Sequence, residues 1–282
     1  MIGFLNINKP VGMTSAQVVA KVKKILSLPK SVKIGHMGTL DMLASGVLPI
    51  AIGRATRLFD FFLSKKKYYR ATFTFGYMTD SLDSDGNIIK TSEIIPNKEE
   101  IESALGNFLG EIMQVPPMFS AKNINGRRAS DIARSGEIVE LKPSKITIYE
   151  FKLVENKGNS FVFDIECSAG TYIRSLCRDL ADSLGSCATM TALCRTRAGV
   201  FLYPNAILLD DVNKDAILPP DVVLESLEKL EFDTDFERDT LLNGKKLLIN
   251  REQGLYAFYS SGVLRGLCEI DEQHNARMKT WL

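Results

Sequence analysis

Little in this 282-residue chain is suited to metal or redox chemistry. It has two histidines and five cysteines (167, 177, 187, 194 and 268), with no Cys-x-x-Cys pair. A zinc site of the usual ligand spacing is therefore not expected, and an odd number of thiols argues against a disulfide framework. Reduced thiols point to a cytoplasmic protein. The start, Met1-Ile2-Gly3-Phe4-Leu5-Asn6, lacks the basic and long apolar stretches of an export signal. No apolar run is long enough to span a bilayer, so no membrane partner is expected. Charge of one sign is also missing. With 35 basic residues against 34 acidic, the net charge is +1 and does not by itself announce a nucleic-acid partner.

What is present is the composition of an ordinary globular protein, 45% hydrophobic and 24% charged. The length allows one large domain, or one large and one small. Basic residues are unevenly placed. Lys21, Lys23, Lys24, Lys30 and Lys33 precede residue 35, Lys65-Lys66-Lys67 follow it, and Arg127-Arg128 lie in mid-chain, while acidic residues gather in the last third. A locally basic first half is compatible with phosphate contacts, although solvated surface is the commoner use of any one run.

Hydrophobic period and punctuation predict the elements. Gly3 to Ile7 reads as a strand. Thr14 with Gln17 forms a capping box before a helix whose apolar face is Val18, Val19, Val22, Ile25 and Leu26. Thr56 to Leu63 reads as a second helix, and Tyr69 to Tyr77 alternates as a half-buried strand. Thr79 to Gly86 imitates a calcium loop, but aligning Gly86 with the turn glycine puts Ser81 and Ser92 at key ligand positions, so a hairpin loop is the better reading. Asn97 with Glu100 caps another helix. A short helix is predicted at Ala129 to Arg134, a strand at Phe161 to Cys167, a helix reaching Leu184, a strand region from Met190 to Phe201, and a helix from Asp221 to about Lys229. From about Glu231 the pattern turns β-rich, with a hairpin at Ser260-Ser261-Gly262.

Two places carry candidate chemistry. Gly35-His36-Met37-Gly38-Thr39-Leu40-Asp41-Met42-Leu43-Ala44-Ser45-Gly46 has one carboxylate and one imidazole among three glycines, and runs into the apolar Val47 to Ile52. Glycines around one acid suggest a shaped loop, and the apolar run a buried strand that anchors it. Local features leave Asp41 open to two readings, a catalytic carboxylate or a cap for backbone N–H groups. The second place is Arg174 in Gly170-Thr171-Tyr172-Ile173-Arg174. A cation in a first helical turn faces the positive end of the helix dipole, which a partner carboxylate would relieve; snorkelling to solvent is the plain alternative.

Taken together, Asn8-Lys9-Pro10 with Gly12 and Ser15, Gly35 to Gly46, Tyr69 with Gly76, Thr79-Asp80 to Gly86, Pro116-Pro117 to Gly126, Gly170 to Arg174, and Leu193 with Arg195 resemble the bacterial tRNA pseudouridine-55 synthases. Seven short strings in family order and spacing make a specific signal. The resemblance implies an α+β fold with a mostly antiparallel central sheet and flanking helices over residues 1–230, and a small β-rich, PUA-like RNA-contacting domain over 231–282. It implies isomerisation of uridine 55 in the tRNA T-loop by a monomer, with tRNA as partner, no protein partner, no cofactor and no metal. Asp41, Tyr69 and Arg174 match the catalytic set. His36, Asp83, Tyr172, Leu193 and Lys9 match substrate-binding positions. Met42 stands where the family often has proline, Met37 where threonine is common, and Asn8 where aspartate is frequent. Asn123 and Ser130 also depart, at expected RNA contacts. A non-catalytic tRNA-binding or folding module is the alternative, but the catalytic set is present. A glycosidase would ordinarily need a pair of acids, and the loop offers one.

Overall fold

The computed structural model describes every residue except 64, 121–122, 125, 129–131, 133–134, 136–140 and 233. The chain opens with β1 (Gly3–Lys9), α1 (Ser15–Ile25), β2 (Ile34–His36), β3 (Ser45–Ile52), α2 (Phe59–Leu63) and β4 (Lys67–Phe75). There follow β5 (Tyr77–Thr79), β6 (Ile88–Thr91), α3 (Lys98–Leu105), β7 (Gly110–Gln114), β8 (Asn123–Ile124) and β9 (Arg127–Arg128). Next are β10 (Ser144–Lys157), β11 (Ser160–Cys167), α4 (Ile173–Ser183), β12 (Ala188–Ala198) and β13 (Phe201–Leu202). The last third contributes β14 (Lys229–Leu230), α5 (Asp235–Leu242), β15 (Leu247–Leu248), β16 (Gly254–Ser260), β17 (Val263–Ile270) and β18 (Asn275–Trp281).

Both capping boxes form. Thr14 accepts from the Gln17 N–H and Asn97 from the Glu100 N–H, while each partner's side chain reaches back to the cap. Such caps typically stabilise a helix by about 1 kcal/mol. The main sheet runs β1-β3-β12-β4-β11-β10-β7, with β2 added to β3 and β13 to β12. Its pairs are antiparallel except β3 with β12, where Cys194 faces Ser45 and Arg195 faces Gly46. The α+β, mostly antiparallel expectation therefore holds. Ala71, Phe73 and Phe75 of β4 and Phe161 and Phe163 of β11 are fully buried beneath α4 and α3, which anchors the centre of the sheet.

A second, five-stranded sheet has the order β14-β16-β17-β18-β15. It is joined to the first by a continuous apolar cluster. Phe4, Val47, Phe62 and Phe201 pack in one group with Val223, Leu224, Ala257, Tyr259 and Leu267. Met37 is buried in that same group, so its bulk replaces a threonine's hydroxyl with core contact.

Two predicted helices take other forms. Residues from Gly53 to Leu58 wind as a 3₁₀ turn before the single α-turn of α2. Instead of a helix from Asp221, the chain makes a 3₁₀ turn at Pro220–Val223 and then enters β14. Asp221 gives its carboxylate to the Tyr259 hydroxyl at 2.9 Å, so the cap signature served a tertiary bond. Apart from Ile132, the residues of the short helix expected at Ala129 to Arg134, Ser130 among them, lie outside the described residues.

Candidate active site

The glycine loop leaves β2 at His36, re-enters the sheet at Ser45, and is held from beneath. The Ser15 hydroxyl accepts from the Leu40 N–H at 2.8 Å and donates to the Leu40 carbonyl at 2.9 Å. Arg195, 2% exposed, donates Nε to the Val47 carbonyl at 2.7 Å and its terminal nitrogens to Gly38 and Thr39. Gly46 sits at φ +98°, and a Cβ there would collide with the Arg195 carbonyl. Glycine is required at this point because the parallel β3–β12 pairing brings the two backbones together.

On this platform Asp41 meets Arg174. Nη2 of Arg174 donates to Asp41 Oδ1 at 3.1 Å, and Nε forms an ion pair with Oδ2 at 3.0 Å. Its terminal nitrogens also donate to the Ser81 carbonyl (2.9 Å) and the Phe119 carbonyl (3.0 Å), and Nη1 forms an ion pair with Asp83 Oδ2 at 3.4 Å. The Arg174 side chain is 6% exposed, so the snorkelling alternative does not apply, and the awkward first-turn cation is matched by two carboxylates. Asp41 itself is about one-third open, at 37%. Its surroundings push its carboxyl above the usual range. Burial dominates, Arg174 opposes it, Asp83 adds to it, and Lys9 pulls the other way.

Asp41 lies on the wall between two cavities. The smaller, of about 220 Å³, is lined by Tyr69, Tyr172, Leu193, Lys67, Ser120 and Arg195 among others. At ~30 Å³ per water this is the room of about seven waters, the scale of one pyrimidine ring. The larger, of about 690 Å³, is an open groove lined by His36, Met42, Asp80, Asp83, Phe119 and Thr14 among others. Burial raises the Tyr69 phenol above its ordinary range against the pull of Arg195. Burial, then Arg195, lowers His36, so its imidazole is neutral near pH 7.

The sequence thus brings Asp41, Tyr69, Arg174, Tyr172 and Leu193 to the small cavity, and His36 and Asp83 to the groove. Lys9 stands apart. It is fully buried and lines neither cavity, and its amine donates to the carbonyls of Pro10, Met13 and Met42. Its expected substrate contact gives way to a brace between the β1–α1 turn and the Asp41 loop, with burial lowering its pKa to about 8. Two positioning residues escaped sequence reading. Arg195 was noticed only as a motif member. Gln114, 1% exposed, had no local signal; it accepts from the Tyr172 N–H at 2.9 Å and donates to the Tyr172 carbonyl at 3.1 Å.

Relatives share this arrangement's fold and sequence. Residues 23–173 match the model of the TruB family pseudouridylate synthase, N-terminal domain. A protein named tRNA pseudouridine synthase B from Clostridium acetobutylicum is 43% identical over 251 residues, covering 88% of this chain and 86% of that one. The protein of the same name from Rickettsia felis is also 43% identical, over 89% of this chain and 76% of its own. Among solved structures, a Cbf5-Nop10-Gar1 complex superposes with TM-score 0.72 and 28% identity, over 96% of this chain and 79% of that one. An H/ACA RNP bound to a substrate RNA containing 2′-deoxyuridine gives 0.71 and 26%, over 99% and 84%. Fold and sequence together place the chain among the pseudouridylate synthases. This chain belongs to the TruB family of those enzymes.

Proposed function

We propose that this enzyme isomerises uridine 55 in the T-loop of tRNA to pseudouridine, with Asp41 as the reacting carboxylate. One observation carries the reading: the Asp41 carboxylate, held by a hydrogen bond and an ion pair to a buried arginine, forms the wall between a base-sized cavity and an open groove. The target uracil enters the small cavity and the rest of the loop follows the groove. Flipping a base from structured RNA costs about a few kcal/mol, and stacking on Tyr69 offsets about 1–3 kcal/mol of that. The N1–C1′ bond then breaks and a C5–C1′ bond forms. The C5 proton leaves to a base and N1 regains a proton, so atoms and charge balance without an oxidant or reductant. Asp41 acts as the anion that adds to, or stabilises, the electron-poor carbon. Arg174 keeps it ionised and aimed. Tyr69 packs the base and lies where it can pass the C5 proton once its own is accommodated. Neutral His36 occupies groove space against unstacked loop bases. Asp83 fixes the far side of Arg174, Tyr172 and Leu193 wall the base, and Lys9 braces the loop. The unit from 231 to 282 adds RNA-contacting surface.

The reading is tested with a tRNA T-loop stem-loop. Wild-type protein is expected to convert its target uridine, and Asp41→Asn to lose conversion while binding the RNA within a few-fold of wild type. Full activity of Asp41→Asn overturns the role of Asp41. Release of free uracil by the wild type would mean hydrolysis instead.

A further inference from the structure

Ser120 lies in the segment after Pro116-Pro117, next to Phe119, whose carbonyl accepts from Arg174. Its side chain is 3% exposed and lines the small cavity. Its hydroxyl has no hydrogen-bond partner among the described residues. Two of the other three serine and threonine hydroxyls on that cavity are occupied. Ser168 accepts from the Thr147 N–H at 2.9 Å, and Thr171 donates to the Ser168 carbonyl at 3.0 Å. Among the described residues, the Tyr172 phenol is the polar side chain that interacts with Ser120, which lowers the phenol's pKa against the rise from burial, but the contact falls short of a well-formed hydrogen bond.

A buried hydroxyl left without a partner is costly, and native proteins keep few of them. When such a group faces an empty cavity beside the reacting carboxylate, a ligand is the partner that removes the cost. We infer that Ser120 is a substrate-binding residue whose hydroxyl donates to a ring carbonyl oxygen of the flipped uracil. The inference rests on the reading of the small cavity as the base pocket. It assigns Ser120 a part in choosing the base, because a site built to bond a polar atom rejects a ring that lacks it. Ser120 holds the ring in place and does not take part in bond exchange.

The test combines one variant with altered substrates. Ser120→Ala is expected to lower kcat/KM on a uridine stem-loop by about three- to tenfold, the worth of one neutral hydrogen bond. Stem-loops carrying 2-thiouridine or 4-thiouridine at the target replace each ring oxygen in turn by a poor acceptor. With one of them the wild type is expected to lose a similar factor, and Ser120→Ala to lose nothing further. The free protein gives a second readout. Deleting an unpartnered hydroxyl is expected to leave the melting temperature unchanged or raised, whereas a structural serine would lower it. The inference is overturned if Ser120→Ala keeps full kcat/KM, if its loss is additive with both thio substitutions, or if the loss disappears in a Tyr172→Phe background, which would make Tyr172 its partner. A wild type that converts no stem-loop refutes the pocket reading itself; a wild type that converts it beside an unimpaired Ser120→Ala refutes only the role of Ser120.

Discussion

The Arg174 guanidinium donates hydrogen bonds to Asp41, the Ser81 carbonyl and the Phe119 carbonyl, and forms ion pairs with both Asp41 and Asp83. A lysine offers three rotating donors and cannot reproduce that fork. Arg174→Lys is therefore expected to lower the single-turnover rate at least 100-fold while RNA affinity changes little. Arg174→Met leaves Asp41 and Asp83 unpaired and is expected to cost roughly 3 kcal/mol in urea denaturation, the low end for a broken buried pair because Asp41 is 37% exposed. The pH dependence follows from the same pair. On the proposed mechanism Asp41 reacts ionised, and burial raises its pKa, so protonation is expected to remove activity at a higher pH than for a free aspartate near 3.9. The acid limb of the rate is expected above that value, and single-turnover rates between pH 4 and 7 will show it. The same residue marks how far sequence reaches. Its uncomfortable place in a first helical turn is written in the chain and implied a carboxylate. Ser120 and Gln114 had no such mark, because their roles depend on which groups the fold leaves facing them.

At the level of elements, the Asp41 loop owes its shape to the one parallel pairing in the main sheet. Gly46→Ala adds a Cβ at φ +98° against the Arg195 carbonyl. It is expected to destabilise the protein by about 1–3 kcal/mol and to displace Asp41, lowering activity beyond what the stability loss explains. Thr14→Ala provides the contrast. It removes a cap from α1 and is expected to cost about 1 kcal/mol with kcat unchanged, as measured by thermal melting beside kinetics. Helix starts and alternating strands were legible because capping and period are local. The β3–β12 pairing was not, since parallel neighbours are chosen by the whole sheet. Lys9 misled for a related reason: a lysine in a glycine-proline turn looks solvated until three carbonyls converge on it. Asp221 misled as well, since a cap and a partner for a distant tyrosine have the same spelling.

Across the whole molecule, basic residues clustered in the first half are expected to attract the RNA, although net charge is only +1. Binding of the stem-loop is expected to weaken steadily between 50 and 200 mM salt as counterions are released, with a linear log–log slope. A flat slope would remove phosphate contacts from the account. The cluster linking the two sheets has another consequence. Deleting residues 229–282 uncovers Phe4, Phe62 and Phe201, so the truncated enzyme is expected to melt earlier or aggregate, beyond any loss of RNA affinity. Because Phe4 and Val47 of the first sheet share one apolar core with Ala257 and Leu267 of the second, that seam is a weld and not a hinge. The molecule then behaves as a gauge of fixed span. An RNA bridging both ends, as proposed, is expected to be selected by the distance between its own contact points before any base is read.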